Sequence, residues 1–593
     1  MRRTGRVVLL LFLIVASIVG LWLFQAWRMT KREQTTKRIN NVYITGIEGT
    51  SLQGIEKEKK TWTMASTVSE TVKPGIADLV FQEDEVVKII QKPDLLQGKV
   101  LKIGENYIQV EEYGDVQLDE EFRLFHVSTA GDVTLGNKEE LLIGHTDVQY
   151  VVAGEKICAA LLGEEKLASI RVLLSEGANT HYDLSKVVLT GTTDYQVTAD
   201  GQTTNYPAGH RLTYRADDIN GRIVIGTQGK GKLRLENLKR QYGVPEYRGN
   251  IEIEKVDKSL HVINEVNLEE YLYSVVPSEM PTEYPKEALK AQAICARSYA
   301  VQQMKGKRLA KYGAHVDDSV SFQVYNNLKE DQASIQAVTE TNNLVVAQDG
   351  KLVTTYFYSV SCGCSEGVKD VWFSEKDKEY LPVKWQGEQT KTINLSTERE
   401  FHKFISETEG TYDAASPWYR WQTTLSIKKL EQCIAEKAKE RYRVNPTQIQ
   451  TKQKDGSYRS TGQVEIGSLK SMKIVQRGQG GVACALEIKG SKRTIRVYTE
   501  YNIRLLLGDE KAIYKRKDKK EVTGLQSLPS GYFALEKKSD TYSITGGGYG
   551  HGVGMSQFGA RTMSEQGKNC EDIISFYFSG TNVISREALV SNG

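Results

Sequence analysis

The sequence predicts an α+β protein: a transmembrane helix at the N-terminus, a small β-rich domain, and a larger region mixing helices with strands. Three observations carry this. Residues 7–24 form an almost unbroken apolar run. From about 41 to 165, apolar and polar residues alternate in short bursts broken by glycine and aspartate, the pattern of strands with one face on a core. Near residue 285 the period changes to that of a helix. With 593 residues the chain exceeds one core. Hydrophobic residues at 39% and charged ones at 26% exclude a fibrous or disordered chain. The net charge of +3 is small for this length. No basic run is interleaved with aromatics, so no nucleic-acid partner is expected.

Taken in order, MRRTGR precedes VVLLLFLIVASIVGLWLF, in which only Ser17 is polar. That length spans a bilayer as a helix. A cleaved leader would be shorter and end in small residues. Phe24 and Trp27 stand at the exit instead, so residues 1–27 read as a tip and an uncleaved anchor. Arg2, Arg3 and Arg6 lie before the span and Arg28, Lys31, Arg32, Lys37 and Arg38 after it, so flanking charge leaves orientation open. Residues 28–40 are a polar stem. The domain at 41–165, with runs such as KVLKIGENYIQVEEYGDVQL, reads as hairpins and as barrel-like in shape. A second β-rich stretch starts near 168 and includes IEIEKVDKSLHVINEV.

The strongest helix runs roughly from Pro285 to Met304. Pro285 suits the first position, Glu287 the first turn, and Gly306 the stop. Its alanine content implies close packing along it. Gln292, Cys295, Ala296 and Tyr299 share one face, while Arg297 points elsewhere. A mixed subdomain at about 390–540 contains the helix LEQCIAEKAKERYRV and the strands SMKIVQRG, ACALEIKG and RTIRVYT. Two helices follow, one stopped at Gly567 and one running from about Cys570 to Gly580.

The seven cysteines are scattered and form no disulfide framework. Two stretches draw attention. GGGYGHGVGMSQFGA, residues 546–560, holds His551 among glycines, with Ser556 and Gln557 just beyond. It fits neither a dinucleotide fingerprint nor a P-loop nor a nucleophile elbow. On its own it reads as a flexible loop or as backbone bared for close approach. In VVPSEMPTEYP, Pro277 and Pro281 bracket Glu279 among apolar neighbours. Such an acid is a solvated loop residue or, if desolvated, a general acid with a raised pKa.

These two stretches, in this order, together with DDSVSFQVY, YFYSVSCGCSEGVKDVW and GKNCEDIISFYFSGT, resemble the stage II sporulation protein D and amidase enhancer family. The resemblance covers roughly residues 168–585. It implies a catalytic domain with a long glycan-binding groove, and lytic cleavage of peptidoglycan glycan strands, above all strands stripped of stem peptides. Glu279 is then the implied general acid and base. It would protonate the glycosidic oxygen and next take the proton of the muramic C6 hydroxyl as an anhydro ring closes. Gln292, Arg297, Tyr299, His551, Ser556 and Gln557 become implied substrate contacts, Arg297 for lactyl carboxylates. The resemblance implies no cofactor. Some relatives are thought to hold zinc through cysteines near the segment reading HVDDSVSFQVY here, which has none. A substitute site would need His315 with Cys362 or Cys364. The implied setting is single-pass at the cell membrane, with the bulk of the chain outside the cytoplasm in spore engulfment. Implied partners are glycan strands, a cell-wall amidase and other membrane proteins of the engulfment machinery. The alternatives are a non-catalytic activator of an N-acetylmuramoyl-L-alanine amidase, or a hydrolase using Glu283, Asp317 or Asp318 as a second carboxylate.

Overall fold

Alternating runs form strands, and strand outweighs helix, 39% to 21%. The computed structural model describes Trp22 and residues 36–589, apart from 57–59, 69–71, 83, 165–166, 178–180, 228 and 374–375. The predicted architecture therefore needs correcting in two respects. The fold is strand-rich, because the sheets between Thr36 and Asn267 supply most of the strand and further short strands pair after residue 300. And no helix among the described residues is long and apolar enough to cross a membrane. The run at 7–24, on which the transmembrane helix rested, lies outside the described residues except for Trp22.

The region expected as one β-rich domain at 41–165 is two sheets. Five antiparallel strands between Thr36 and Gln91 make the first, which begins inside the expected stem. Seven strands between Asp94 and Leu162 make the second, in which Gly114–Val127 and Lys156–Leu162 run parallel. Ile55, Ile76, Phe125, Val151 and Ala159 close an apolar seam between them.

From residue 169 a third, seven-stranded sheet begins. Its centre is the hairpin Asn250–Val256 and Ser259–Asn267, flanked on one side by Arg222–Thr227 and on the other by Ser169–Leu173. The last hairpin strand runs straight into a helix, Leu268–Glu279, whose first turn is capped by the Asn267 side chain accepting from the Glu269 N–H. The alanine-rich helix follows at Lys286–Met304. It is the hub of the molecule. Helices Leu268–Glu279, Gln332–Glu340, Gln557–Glu565 and Cys570–Tyr577 all pack on it, together with strand Leu344–Gln348. Small side chains let so many elements approach one axis, which explains the alanines.

The mixed subdomain expected at about 390–540 has its own core, running from Trp421 to Ile544. Phe401, Phe404 and Ile405 belong to the main core instead. Strands Trp421–Ser426 and Thr541–Gly546 pair antiparallel, so this module leaves and rejoins the main body through neighbouring strands.

Candidate functional site

Glu279 is the last residue of its helix, not part of a proline-bracketed turn. Pro277 lies inside the helix and lacks the N–H that would bond back to the Tyr273 carbonyl. Burial of Tyr271, Leu272, Val275 and Val276 in the main core overrides the local signal. A later segment, residues 324–328, is fastened to this helix end at Ser278 and at Glu279. Ser278 Oγ donates to the Ser274 carbonyl at 2.7 Å and accepts from the Asn327 and Leu328 N–H groups. The Val324 N–H donates to Glu279 Oε1 at 2.6 Å.

Glu279 keeps part of its surface open, yet protein crowds its carboxyl. Burial raises its pKa to about 7, against the Val324 hydrogen bond, which favours the charged form. An acid so poised is half protonated near neutral pH and serves either as donor or as acceptor. Tyr271 and Tyr299 both feel its charge. The Tyr271 hydroxyl donates to Gln323 Oε1.

The other expected residues fare differently. Gln292 is buried, and its Oε1 accepts from Gln557 Nε2 at 3.3 Å, so the two signature segments do meet. Arg297 is fully buried and grips Glu269 with both ends of its guanidinium, at 2.7 and 2.6 Å, while also donating to the Leu344 and Val338 carbonyls. Its donors hold the helix hub together. Ser556 caps helix Gln557–Glu565 and donates to buried Asp413. Burial raises the Asp413 pKa to about 7. His551 Nε2 donates to the Phe357 carbonyl at 3.0 Å and Nδ1 accepts from the Val553 N–H at 3.1 Å. Burial lowers its pKa to about 4, so the ring is neutral and both nitrogens are in use.

The glycines around His551 do not bare backbone for a ligand. Gly552 and Gly554 have φ of +82° and +80°. A Cβ on Gly552 would lie 2.0 Å from the Tyr532 hydroxyl, and one on Gly554 would lie 2.1 Å from the Tyr356 carbonyl oxygen. The close approach they permit is to the protein's own main body.

Of the alternative acids, Asp317 accepts from the Tyr182 hydroxyl and Asp318 pairs with Arg240, while Glu283 is exposed in the turn beyond the helix. His315 accepts from the Arg171 N–H on Nδ1 and bonds the Ile143 carbonyl through Nε2. Burial lowers its pKa to about 3. Cys362 and Cys364 are buried free thiols, with Cys362 pushed up to about 12 by burial. Among the described residues no cluster of these types is arranged to hold a metal.

Two features escaped the sequence reading. One is the Val324 N–H, which only the tertiary fold brings to Glu279. The other is a row of rings: Tyr299 lies 6.3 Å from Tyr356, Tyr356 lies 4.6 Å from Trp372, and Trp372 lies 5.0 Å from His551. Trp372 is exposed, at the end of the short helix Val368–Trp372. Its signal was present in the stretch ending KDVW, without the spacing that ties it to Tyr299.

A stage II sporulation protein domain matches residues 256–347, which includes the Glu279 helix, the hub helix and the Val324 segment. Stage II sporulation protein D of Bacillus amyloliquefaciens is 28% identical over 56% of this chain and 78% of its own length. Together these matches support the stage II sporulation protein D and amidase enhancer family as the one this chain is similar to. The amidase enhancer of Bacillus subtilis is 28% identical over 53% of this chain and 40% of its own length. A domain of unknown function matches residues 441–554, most of the second module and the start of the glycine segment.

Proposed function

We propose that this protein cleaves peptidoglycan glycan strands in spore formation, outside the cytoplasm, as a lytic transglycosylase with Glu279 as its one acid and base. The observation that carries the reading is a carboxyl partly open to solvent, raised to about 7 by burial, and held by a single backbone N–H. The protonated carboxyl donates to the glycosidic oxygen as the bond to C1 breaks. The resulting carboxylate then takes the proton of the muramic C6 hydroxyl, whose oxygen closes on C1. No water is activated, so no second carboxylate is required. The ring row Tyr299, Tyr356 and Trp372 would form one wall of the groove. Mass spectrometry of products from stripped strands tests this: anhydro ends support it, and reducing ends mean hydrolysis.

A second reading has its own support. Arg297, Ser556 and His551 direct their polar atoms inward, and one relative is named as an amidase enhancer. In that case the protein binds the wall and activates a separate amidase. Purified protein that releases no glycan fragments, yet raises amidase turnover on the same substrate, would establish it.

A further inference from the structure

Arg297 is spent on Glu269, which leaves open which cation meets the lactyl carboxylates that a peptide-stripped strand exposes. One candidate packs on the segment that holds the acid. Arg308 follows the hub helix and is exposed. Its guanidinium lies over the Phe322 ring at 4.6 Å, and one N–H reaches toward the Ser321 carbonyl at 3.5 Å. Phe322 is two residues before Val324, whose N–H holds Glu279. A guanidinium held over a ring and not paired with a carboxylate still has N–H groups for two-pronged recognition of a carboxylate. Arg308 has no ion-pair partner among the described residues, and the Tyr299 hydroxyl, raised chiefly by burial, feels the charges of both Arg308 and Glu279. It also lines a cavity of about 350 Å³ with Lys138, Lys307 and Lys311, where the opposing carboxylates are Glu105 and Glu139. Glu139 pairs with Lys307. Lys138 lies in the short turn after strand Val133–Gly136 of the second N-terminal sheet.

We propose that Arg308 is the specificity-determining residue of this protein, binding the free lactyl carboxylate of a muramic acid residue beside the one that Glu279 cleaves. The inference rests on the glycan reading above. It explains a preference for stripped strands: a stem peptide converts that carboxylate to an amide and removes the charge that the fork recognises.

The test measures binding in the full-length Glu279→Gln protein, so that cleavage does not interfere. The probes are peptide-stripped glycan strands and a neutral N-acetylglucosamine oligomer of matched length. The ratio of the two affinities should fall about tenfold in Arg308→Ala, the scale of one hydrogen-bonded charge contact, and further in Arg308→Glu. It should also shrink with added salt. Thermal midpoints equal to the parent's exclude misfolding, since Arg308 is exposed. An unchanged ratio, or equal losses in the alanine and glutamate variants, overturns the proposal. The failures are separable. Cleavage that persists in Glu279→Gln sinks the functional reading, whereas an intact ratio with cleavage abolished sinks the Arg308 inference alone.

Discussion

The Glu279 helix end and the glycine segment are both ionisable groups set among residues of unusual backbone freedom or restraint, and they reach opposite states. Glu279 has one hydrogen bond, an open edge and a pKa raised to about 7 by burial. His551 has both nitrogens occupied and a pKa lowered to about 4 by burial. The lesson is that backbone freedom in a sequence does not locate chemistry. A dense run of glycines with one imidazole looks like a site but serves as a joint, and the less conspicuous acid between prolines is left with a proton to exchange.

The sharpest way to break this comparison is Glu279→Gln. Turnover on stripped strands should fall by about 10²–10⁴. At pH 8 the same change should raise the thermal midpoint, because it removes a carboxyl whose charged form is desolvated. Activity lost together with stability would mean that the residue is only structural.

Next come the glycines. Gly554→Val should be the more damaging of two substitutions, because its Cβ meets a backbone oxygen, while that of Gly552 meets the end of the Tyr532 side chain. Each also carries about 1–3 kcal/mol of backbone strain. Combining Gly552→Ala with Tyr532→Phe should lose less stability than the two single changes summed. Additive losses would remove the collision from the account.

Removing the partner of the buried arginine comes third. Glu269→Ala strands Arg297 inside the hub, at a cost of about 3 kcal/mol in chemical denaturation. A larger drop in glycan affinity than in stability would instead return Arg297 to the substrate.

The smallest effects concern pH. Glu366 is buried and accepts from the Gly480 and Val482 N–H groups, and burial raises its pKa to about 7. A carboxyl raised in the folded state binds more protons there than in the unfolded chain. Its contribution is therefore complete below the ordinary carboxylate range and lost as pH rises through about 7. For His551 the lowered pKa reverses the window: its contribution is complete above about 6.5 and lost as pH falls toward about 4. Thermal midpoints of the wild type should therefore fall on both sides of mildly acidic pH. Glu366→Gln should flatten the neutral limb and His551→Gln the acidic one. A limb that stays put in its own variant assigns it to other groups. Activity should fall as pH rises through about 7, because Glu279 must start protonated.

Much of the fold was legible because its signals are local. The hub helix, the helix Ile427–Val444 and the strand Ala483–Gly490 all carry a period and a stop within their own sequence. The Glu279 helix was not legible, because Pro277 argues against it locally and only burial of Tyr271, Leu272 and Val276 overrides that. At the site, the apolar neighbours of Glu279 left it open between a solvated loop acid and a desolvated one, and the burial that raises its pKa came only with the tertiary fold. Val324 meets Glu279, and Trp372 joins Tyr299 through Tyr356, only in the tertiary fold, which no spacing encodes. Nor does any spacing show that Arg297, a substrate contact by resemblance, is paired with Glu269.

The second module departs at Trp421 and returns at Gly546, on strands that lie side by side, and Gly546 is also the first residue of the glycine segment. Its two chain ends are thus adjacent, the condition under which a polypeptide unit can be exchanged between proteins without rethreading its host. But the return strand hands over directly to the joint that seats Tyr532 and Phe357 around His551. A graft at this doorway would travel as a cassette only if it carried its own last strand in register, since the host relies on that strand to aim everything that comes after it.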